Sequence, residues 1–368
     1  MRLNLLEIAL FVLLLSPSFG QSKELVKIAV MGPLSGPAKV YGQRQLQGAR
    51  LAAEQINESG GLSYHIEVVA ADDEGQSGKV GELARDLIFE DGVSAFIGCV
   101  NSSCTHVLEM ICVKTQKPQI TCISTDPSIT RAGTPWIFRC LADDIRQAES
   151  LANYLLNNLK AKRIALLTLN NRYGQMGART LHRLLRNGGQ APIMKETFQR
   201  GNSDRSELAK RVSRQKPDAI VVWSLYSEAA QVVSALRDEG VSCPLLGPDG
   251  VTTPAFLKLA GKAAEGMVVT YPFNPERPWP KTQKFLRDFK KRWSVEADSF
   301  AAHAYDAMMI MASALKRGGK EAFSLRDELA KTAAHDGVTG HITFDATGND
   351  TRNVELAIVK DGRYKALK

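Results

Sequence analysis

No stretch of the chain carries the signature of the enzymes that share its composition. The first turn, Gly32-Pro33-Leu34-Ser35-Gly36, has two glycines four apart but lacks the G-x-G-x-x-G spacing that cradles a dinucleotide, and no P-loop occurs. There is no G-x-S-x-G elbow to present a serine nucleophile and no H-E-x-x-H helix to hold zinc. The six histidines, His65, His106, His182, His303, His335 and His341, are scattered singly, and no C-x-x-C pair exists. These absences argue against an enzyme and against a resident cofactor or metal, and none is expected. Asp72-Asp73-Glu74 ends a strand pattern and reads as a solvated turn more readily than as a cation site. The formal charge of +8 is spread along 368 residues, with Lys210-Arg211 beside Glu207 and Lys290-Lys291 near Asp288, so no basic stripe speaks for nucleic acid.

What is present first fixes a compartment. Arg2, an apolar run from Leu5 to Leu15, and the small residues Ser18 and Gly20 before Gln21 have the order of a cleavable secretory signal peptide, residues 1–20. The run is shorter than the roughly 20 residues that span a bilayer, and no later run reaches that length, so a soluble, exported, periplasmic chain is expected. Export allows disulfides. Five of the six cysteines, Cys99, Cys104, Cys112, Cys122 and Cys140, fall in one short region. Cys104 and Cys112 stand two helical turns apart, roughly 12 Å, too far to bridge, whereas Cys99 and Cys122 end successive strands and are better placed. Small buried thiols are the equal alternative.

The length exceeds what one core usually holds, so two domains are expected. Apolar strands Lys27–Met31, Ile66–Ala71, Ser94–Ile97 and Gln119–Ile123 alternate with helix patterns over about 46–57 and 79–90. After Trp136–Arg139 the cadence restarts: helix 144–158, strand 163–169, a helix after Tyr173-Gly174, strand 193–198, helix 207–213, strand 218–223, helix 228–239, and strands at 243–246 and 266–270. Helices 281–293 and 300–316, a third opened by Ser324, and short strands at 341–344 and 354–359 complete it. Such alternation predicts two doubly wound, Rossmann-like α/β lobes with parallel sheets. Pro272, Pro275, Pro278 and Pro280 mark a crossing between lobes.

The stretch from Gly98 to Pro127 draws most attention. Gly98-Cys99-Val100-Asn101-Ser102-Ser103 and Thr121-Cys122-Ile123-Ser124-Thr125-Asp126 each follow a strand and open toward a helix or turn. Hydroxyls at the carboxyl ends of parallel strands lie where such sheets bind ligands, and a helix N-terminus favours an anion. Capping alone would also account for them. An exported, two-lobed chain without catalytic groups has what a cleft-closing solute receptor needs.

With these motifs the chain resembles the leucine/isoleucine/valine-binding protein family, the type I periplasmic substrate-binding proteins of ABC transporters, from about Lys27 to the C-terminus. The resemblance rests on Gly32-Pro33-Leu34-Ser35-Gly36-Pro37 with Tyr41-Gly42, Ile56-Asn57 with Gly60-Gly61, Gly98-x-x-x-Ser102-Ser103, Thr121-x-x-Ser124-Thr125, Tyr173-Gly174 and Gly247-Pro248-Asp249-Gly250. It implies lobes of 25–143 plus 274–352 and 144–273 plus 353–368, joined by a three-segment hinge. It also implies a carboxylate site at Ser102 and Thr125 assisted by Ile123 and Ser124, and an ammonium partner at Asp249, where branched-chain members often have Glu. Tyr41, Tyr173 and Phe300 fall on family positions lining the cleft. The family's second-lobe tyrosine falls on Leu225 and a common glycine on Trp223, while Leu169 stands at an often polar position, so a larger or more apolar ligand than valine is open. The family's disulfide positions are Gly75 and Asn101 here, which cannot bridge. The expected function is therefore a monomeric receptor delivering an amino acid to an ABC transporter permease; an aromatic acid, another carboxylate or an amide is the alternative ligand, and a sensory module the alternative role.

Overall fold

The computed structural model describes residues 23–201 and 204–367. The signal peptide expected over residues 1–20 lies outside the described residues. Nine elements build the first sheet and its near helices: β1 (Glu24–Gly32), α1 (Lys39–Ser59), β2 (Tyr64–Asp72), α2 (Ser77–Phe89), β3 (Ala95–Gly98), α3 (Ser102–Thr115), β4 (Gln119–Thr121), α4 (Ser128–Arg131) and β5 (Ile137–Arg139). The strands are parallel in the order β2-β1-β3-β4-β5. Ile28, Ala29, Val30 and Met31 are all buried, so both faces of this sheet need a cover, as the unbroken apolar run implies. Helices α2 and α3 supply it on one side.

The chain then crosses over. The second unit comprises α5 (Asp144–Asn153), β6 (Ile164–Leu169), α6 (Arg172–Asn187), β7 (Met194–Phe198), α7 (Ser206–Arg214), β8 (Ala219–Trp223), α8 (Tyr226–Asp238), β9 (Leu245–Gly247), α9 (Pro254–Ala260) and β10 (Val268–Tyr271). Next, α10 (Pro280–Trp293), α11 (Ser299–Gly318) and α12 (Ala322–Ala330) return to the first sheet. There α11 lies against α1 so closely that a Cβ on Gly48 would stand 2.0 Å from the carbonyl oxygen of Ala301. A small ladder of β11 (His335–Asp336) and β12 (His341–Ile342) follows. Finally β13 (Glu355–Lys360) and β14 (Arg363–Ala366) add antiparallel strands to the second sheet, whose order is β14-β13-β10-β9-β8-β6-β7.

Three segments thus pass between the units, and buried charge ties two of them, around Arg139 and around Asn349, to each other. Arg139, fully buried, donates to Asn349 Oδ1 (2.8 Å), to the Asp126 carbonyl (2.7 Å) and to Thr130 (3.1 Å). Asp143 caps α5 by accepting from the N–H groups of Ile145 and Arg146, both at 3.0 Å, while its other oxygen faces Arg139 at 3.5 Å.

Several local expectations change. Helix α1 starts at Lys39, well before the apolar periodicity that begins near Leu46, and so carries Tyr41 on its first turn. The strand expected over 341–344 forms a ladder at His341–Ile342 and a single antiparallel bridge from Phe344 to Asp350, and β14 was not foreseen. Of the two alternatives for the cysteines, a Cys99–Cys122 bridge or small buried thiols, the structure has the second: all six are free and all but Cys243 are buried. Cys99 packs with Cys104 and Cys112 under α2 and α3, whereas Cys122 packs on the opposite face with α1 and α11, because the two strand ends direct these side chains to different sides of the sheet. At the family's bridge positions the chain keeps the proximity without the sulfur, with a Cβ on Gly75 lying 3.1 Å from Asn101 Oδ1.

Candidate functional site

The carboxyl ends of β3 and β4 face those of β6, β8 and β9, and between them lies a narrow cleft lined from both units. On the first wall stand Ser102, the first residue of α3, and the Ile123-Ser124-Thr125 turn after β4. Neither pair of hydroxyls caps a helix. The residue before α3, Asn101, makes no side-chain cap; the Ser124 hydroxyl bonds that of Ser102 at 3.2 Å, and Thr125 Oγ1 is buried without a hydrogen-bond partner. The first N–H groups of α3 also point out of the helix, as at any helix start. Donors therefore converge here with capacity to spare, which suits an anion.

The opposite wall is acidic. Asp249 opens a tight turn after β9, fully buried, with its N–H donating to Gln147 Oε1 at 2.9 Å. The Tyr173 hydroxyl donates to Asp249 Oδ1 (2.8 Å) and accepts from the Gly250 N–H (3.1 Å), so phenol and turn hold the carboxylate in place. Burial raises the Asp249 carboxyl to about 6, against the lowering effect of Tyr173 and Gln147. Beside it Asp144, at the start of α5, is wholly buried, and neither of its oxygens has a hydrogen bond within 3.5 Å. Burial pushes Asp144 well above the ordinary carboxylate range; the Thr125 hydroxyl opposes the shift, and the Asp249 charge adds to it. Two desolvated carboxylates side by side make this wall a strong cation site.

Aromatic and apolar groups close the remainder. Tyr41 and Phe300 meet edge to face at 4.8 Å, and Leu225 completes the lining. The Tyr41 hydroxyl reaches across to the Gly250 carbonyl at 2.6 Å and accepts from the Tyr226 N–H at 2.9 Å, so the two units touch over the cleft. Tyr226 turns its own hydroxyl outward to the Pro37 carbonyl, leaving Leu225 to face inward.

Of the residues expected from sequence, Tyr41, Ser102, Ile123, Ser124, Thr125, Tyr173, Leu225, Asp249 and Phe300 all line this one cavity. Trp223 does not. It is fully buried in the core under α6, where Gly177 makes room for it; a Cβ there would lie 2.0 Å from the indole. It touches the site only at second hand, its ring 6.4 Å from that of Tyr173. Sequence reasoning missed Val100, Asn101 and Gly250 in the lining and Asp144 and Gln147 behind it. One signal was available: Asp143-Asp144 puts two acids at a helix start where one cap suffices.

Comparison with known proteins gives the family and the fold. The family model described as periplasmic binding protein matches residues 25–363. A Leu/Ile/Val-binding protein, BraC3, of Rhizobium johnstonii is 28% identical over 333 residues, 89% of this chain and 89% of that one. Among solved structures, the branched-chain amino acid transporter substrate-binding protein LivJ of Streptococcus pneumoniae, in complex with isoleucine, superposes with a TM-score of 0.87 at 28% identity, covering 94% of this chain and 100% of that chain. The leucine-binding protein LivK of Thermotoga maritima does so at 0.87 and 26%, covering 93% and 98%.

Proposed function

We propose that this chain, which belongs to the periplasmic binding protein family, captures an apolar α-amino acid outside the cytoplasm and delivers it to the membrane permease of an ABC transporter by closure of its two lobes. The lobes are 25–143 plus 274–352 and 144–273 plus 353–368, and residues 1–20 direct export. The observation that carries the reading is the polarity of the cleft: the Ser102 hydroxyl, which accepts from Ser124 and keeps its own proton to donate, and the unpartnered Thr125 hydroxyl stand across from buried carboxyls at Asp249 and Asp144.

A zwitterion matches that arrangement end for end. Its carboxylate takes the donors of the first lobe, and its ammonium takes Asp249, with Asp144 behind. Its side chain lies against Tyr41, Phe300 and Leu225, which offer no hydrogen bond to a polar substituent other than the engaged Tyr41 hydroxyl. Closure removes these charges from water, so each must find its partner in the cleft. Relatives of similar length are named for leucine, isoleucine and valine, and LivJ holds isoleucine, which supports a branched-chain ligand. Binding and release complete the task without any bond being made or broken, so no catalysis is assigned.

The test is a paired titration of the wild type and Asp249→Asn with L-leucine and with its desamino analogue, 4-methylpentanoate. Removing one member of a buried charge pair costs about 3–5 kcal/mol, so leucine should weaken by about a hundredfold or more while the analogue loses far less. Equal losses would reduce Asp249 to a turn residue and remove the main support for an amino-acid ligand.

A further inference from the structure

Outside the ligand cavity, one carboxylate oxygen is contested by two cations from different lobes. Asp126 follows Thr125 directly and is fully buried. Its Oδ2 receives Arg172 Nε, from the first residue of α6 on the second lobe, at 2.5 Å, and His106 Nε2, from α3 on the first lobe, at 3.1 Å. The other Asp126 oxygen is committed to the N–H and hydroxyl of Ser128 at 2.9 and 2.7 Å. Arg172 also donates to that hydroxyl, at 3.0 Å. This contact stands beside the groove leading out of the cleft, which Ser102 and Tyr173 share with the ligand cavity and Arg172 lines.

We propose that Arg172 and Asp126 form the latch that holds the two lobes closed, and that His106 sets its strength through its charge. The inference rests on the lobe-closing receptor reading above. Both ring nitrogens of His106 face carboxylates, Nε2 toward Asp126 and Nδ1 toward Glu109 Oε2 at 3.3 Å, an arrangement that only the imidazolium satisfies with two donated hydrogen bonds. From α3 the ring meets Glu109, which Thr134 steadies at 3.4 Å; from the turn after β4 it meets Asp126 and Ser128; from the second lobe it meets Arg172. Behind Asp126, the Arg139 guanidinium grips its backbone carbonyl and not its carboxylate.

The sign follows from charge. Burial lowers the His106 pKa, but the hydrogen bonds to Asp126 and Glu109 outweigh it and raise the pKa overall, while the Arg172 charge lowers it. Opening the lobes carries Arg172 away, so the ring holds its proton more tightly open than closed. Closure therefore sheds a proton from His106, and acid favours opening. Asp126 itself stays ionised throughout, held far below the ordinary carboxylate range by His106 and Ser128 against its burial. Because Asp126 is the neighbour of Thr125, a ligand seated on that turn and the latch act on the same backbone.

The test uses the mature chain with L-leucine as probe. Arg172 is half exposed, so its pair has the modest strength of a surface ion pair. Arg172→Gln should weaken leucine about fivefold at pH 8, through faster dissociation and not slower association. Arg172→Lys should restore part of this. His106→Gln should match the wild type at pH 8 and bind about fivefold more tightly at pH 5.5, and in the Arg172→Gln background it should change nothing further. An unaltered dissociation rate in Arg172→Gln, or a wild-type pH profile in His106→Gln, overturns the latch. If leucine does not bind at all, the ligand assignment fails separately. The latch is then judged by nuclear magnetic resonance titration of the His106 ring in a chain held shut by an engineered cross-link between the lobes, where Arg172→Gln should raise the midpoint and an unchanged midpoint overturns the proposal.

Discussion

The acidic wall makes a prediction whose sign differs between two nearly identical ligands. In the empty cleft the Asp249 carboxyl titrates at about 6, because burial disfavours its charge. An ammonium placed beside it favours the ionised form and lowers that value. The group thus has a higher pKa empty than bound, so its contribution to leucine affinity is complete above the empty value and lost as pH falls below it. At pH 5 most of these carboxyls are protonated, so leucine should bind on the order of tenfold more weakly than at pH 8. Asp144, raised further by burial and by Asp249, titrates with it as a coupled pair, which broadens the transition upward. Calorimetry in two buffers of different ionisation enthalpy would show proton release on binding leucine at pH 6. In the His106→Gln chain, which lacks the pH response of the latch, the desamino analogue has no ammonium and meets a like charge once Asp249 ionises, so between pH 8 and 6 it should gain affinity as the pH falls, in the opposite direction to leucine in the same chain. Parallel pH profiles for the two ligands would refute the reasoning and would place the titrating group away from the ammonium.

Three further outcomes follow from the geometry. Ser102→Ala should weaken leucine about tenfold to a hundredfold, as loss of a hydrogen bond to a charged group does, with the melting temperature preserved; unchanged affinity in calorimetry would return the hydroxyl to a packing role. Trp223→Ala should cost about 3–5 kcal/mol in denaturant unfolding while leaving leucine affinity within a few-fold in the folded fraction, since the indole fills the core beneath α6 and not the cleft. With all six cysteines free and all but Cys243 buried, a reducing agent should leave the melting temperature unchanged, and a thiol reagent should modify Cys243 first in the native chain.

The alternation of apolar strands and amphipathic helices was enough to read two α/β lobes, because buried parallel strands need unbroken runs such as Ile28–Met31 and Ile164–Leu169. Boundaries were less legible where burial comes from partners distant in sequence. Lys39–Gln45 lacks a clear apolar stripe, yet Tyr41 is buried by Phe300 and by the Gly250 turn, contacts no local window contains. The cysteines stayed open between two readings for a related reason. Sequence places Cys99 and Cys122 at neighbouring strand ends, but which face each takes depends on how the strands finish.

The site divides in the same way. Ser102, Thr125 and Asp249 are visible because their turns carry glycine, proline and hydroxyl residues in a compact pattern. Trp223 was misread because it ends a strand pointing toward the cleft, and only Gly177, from a different element, opens the core space that takes it. Asp144 is the instructive omission. Asp143 satisfies the helix start and Arg139 sits beside it, so the local chemistry is complete without a second acid. A carboxylate that local structure does not need, buried without a hydrogen bond next to Asp249, costs folding free energy unless something positive arrives. Protonation relieves that cost, and so does a cation in the cleft; where the acids are ionised, the closed form without a ligand is penalised relative to the closed form with one. The two acids in their ionised form therefore couple closure to occupancy: the lobes gain by closing on an ammonium and lose by closing on nothing.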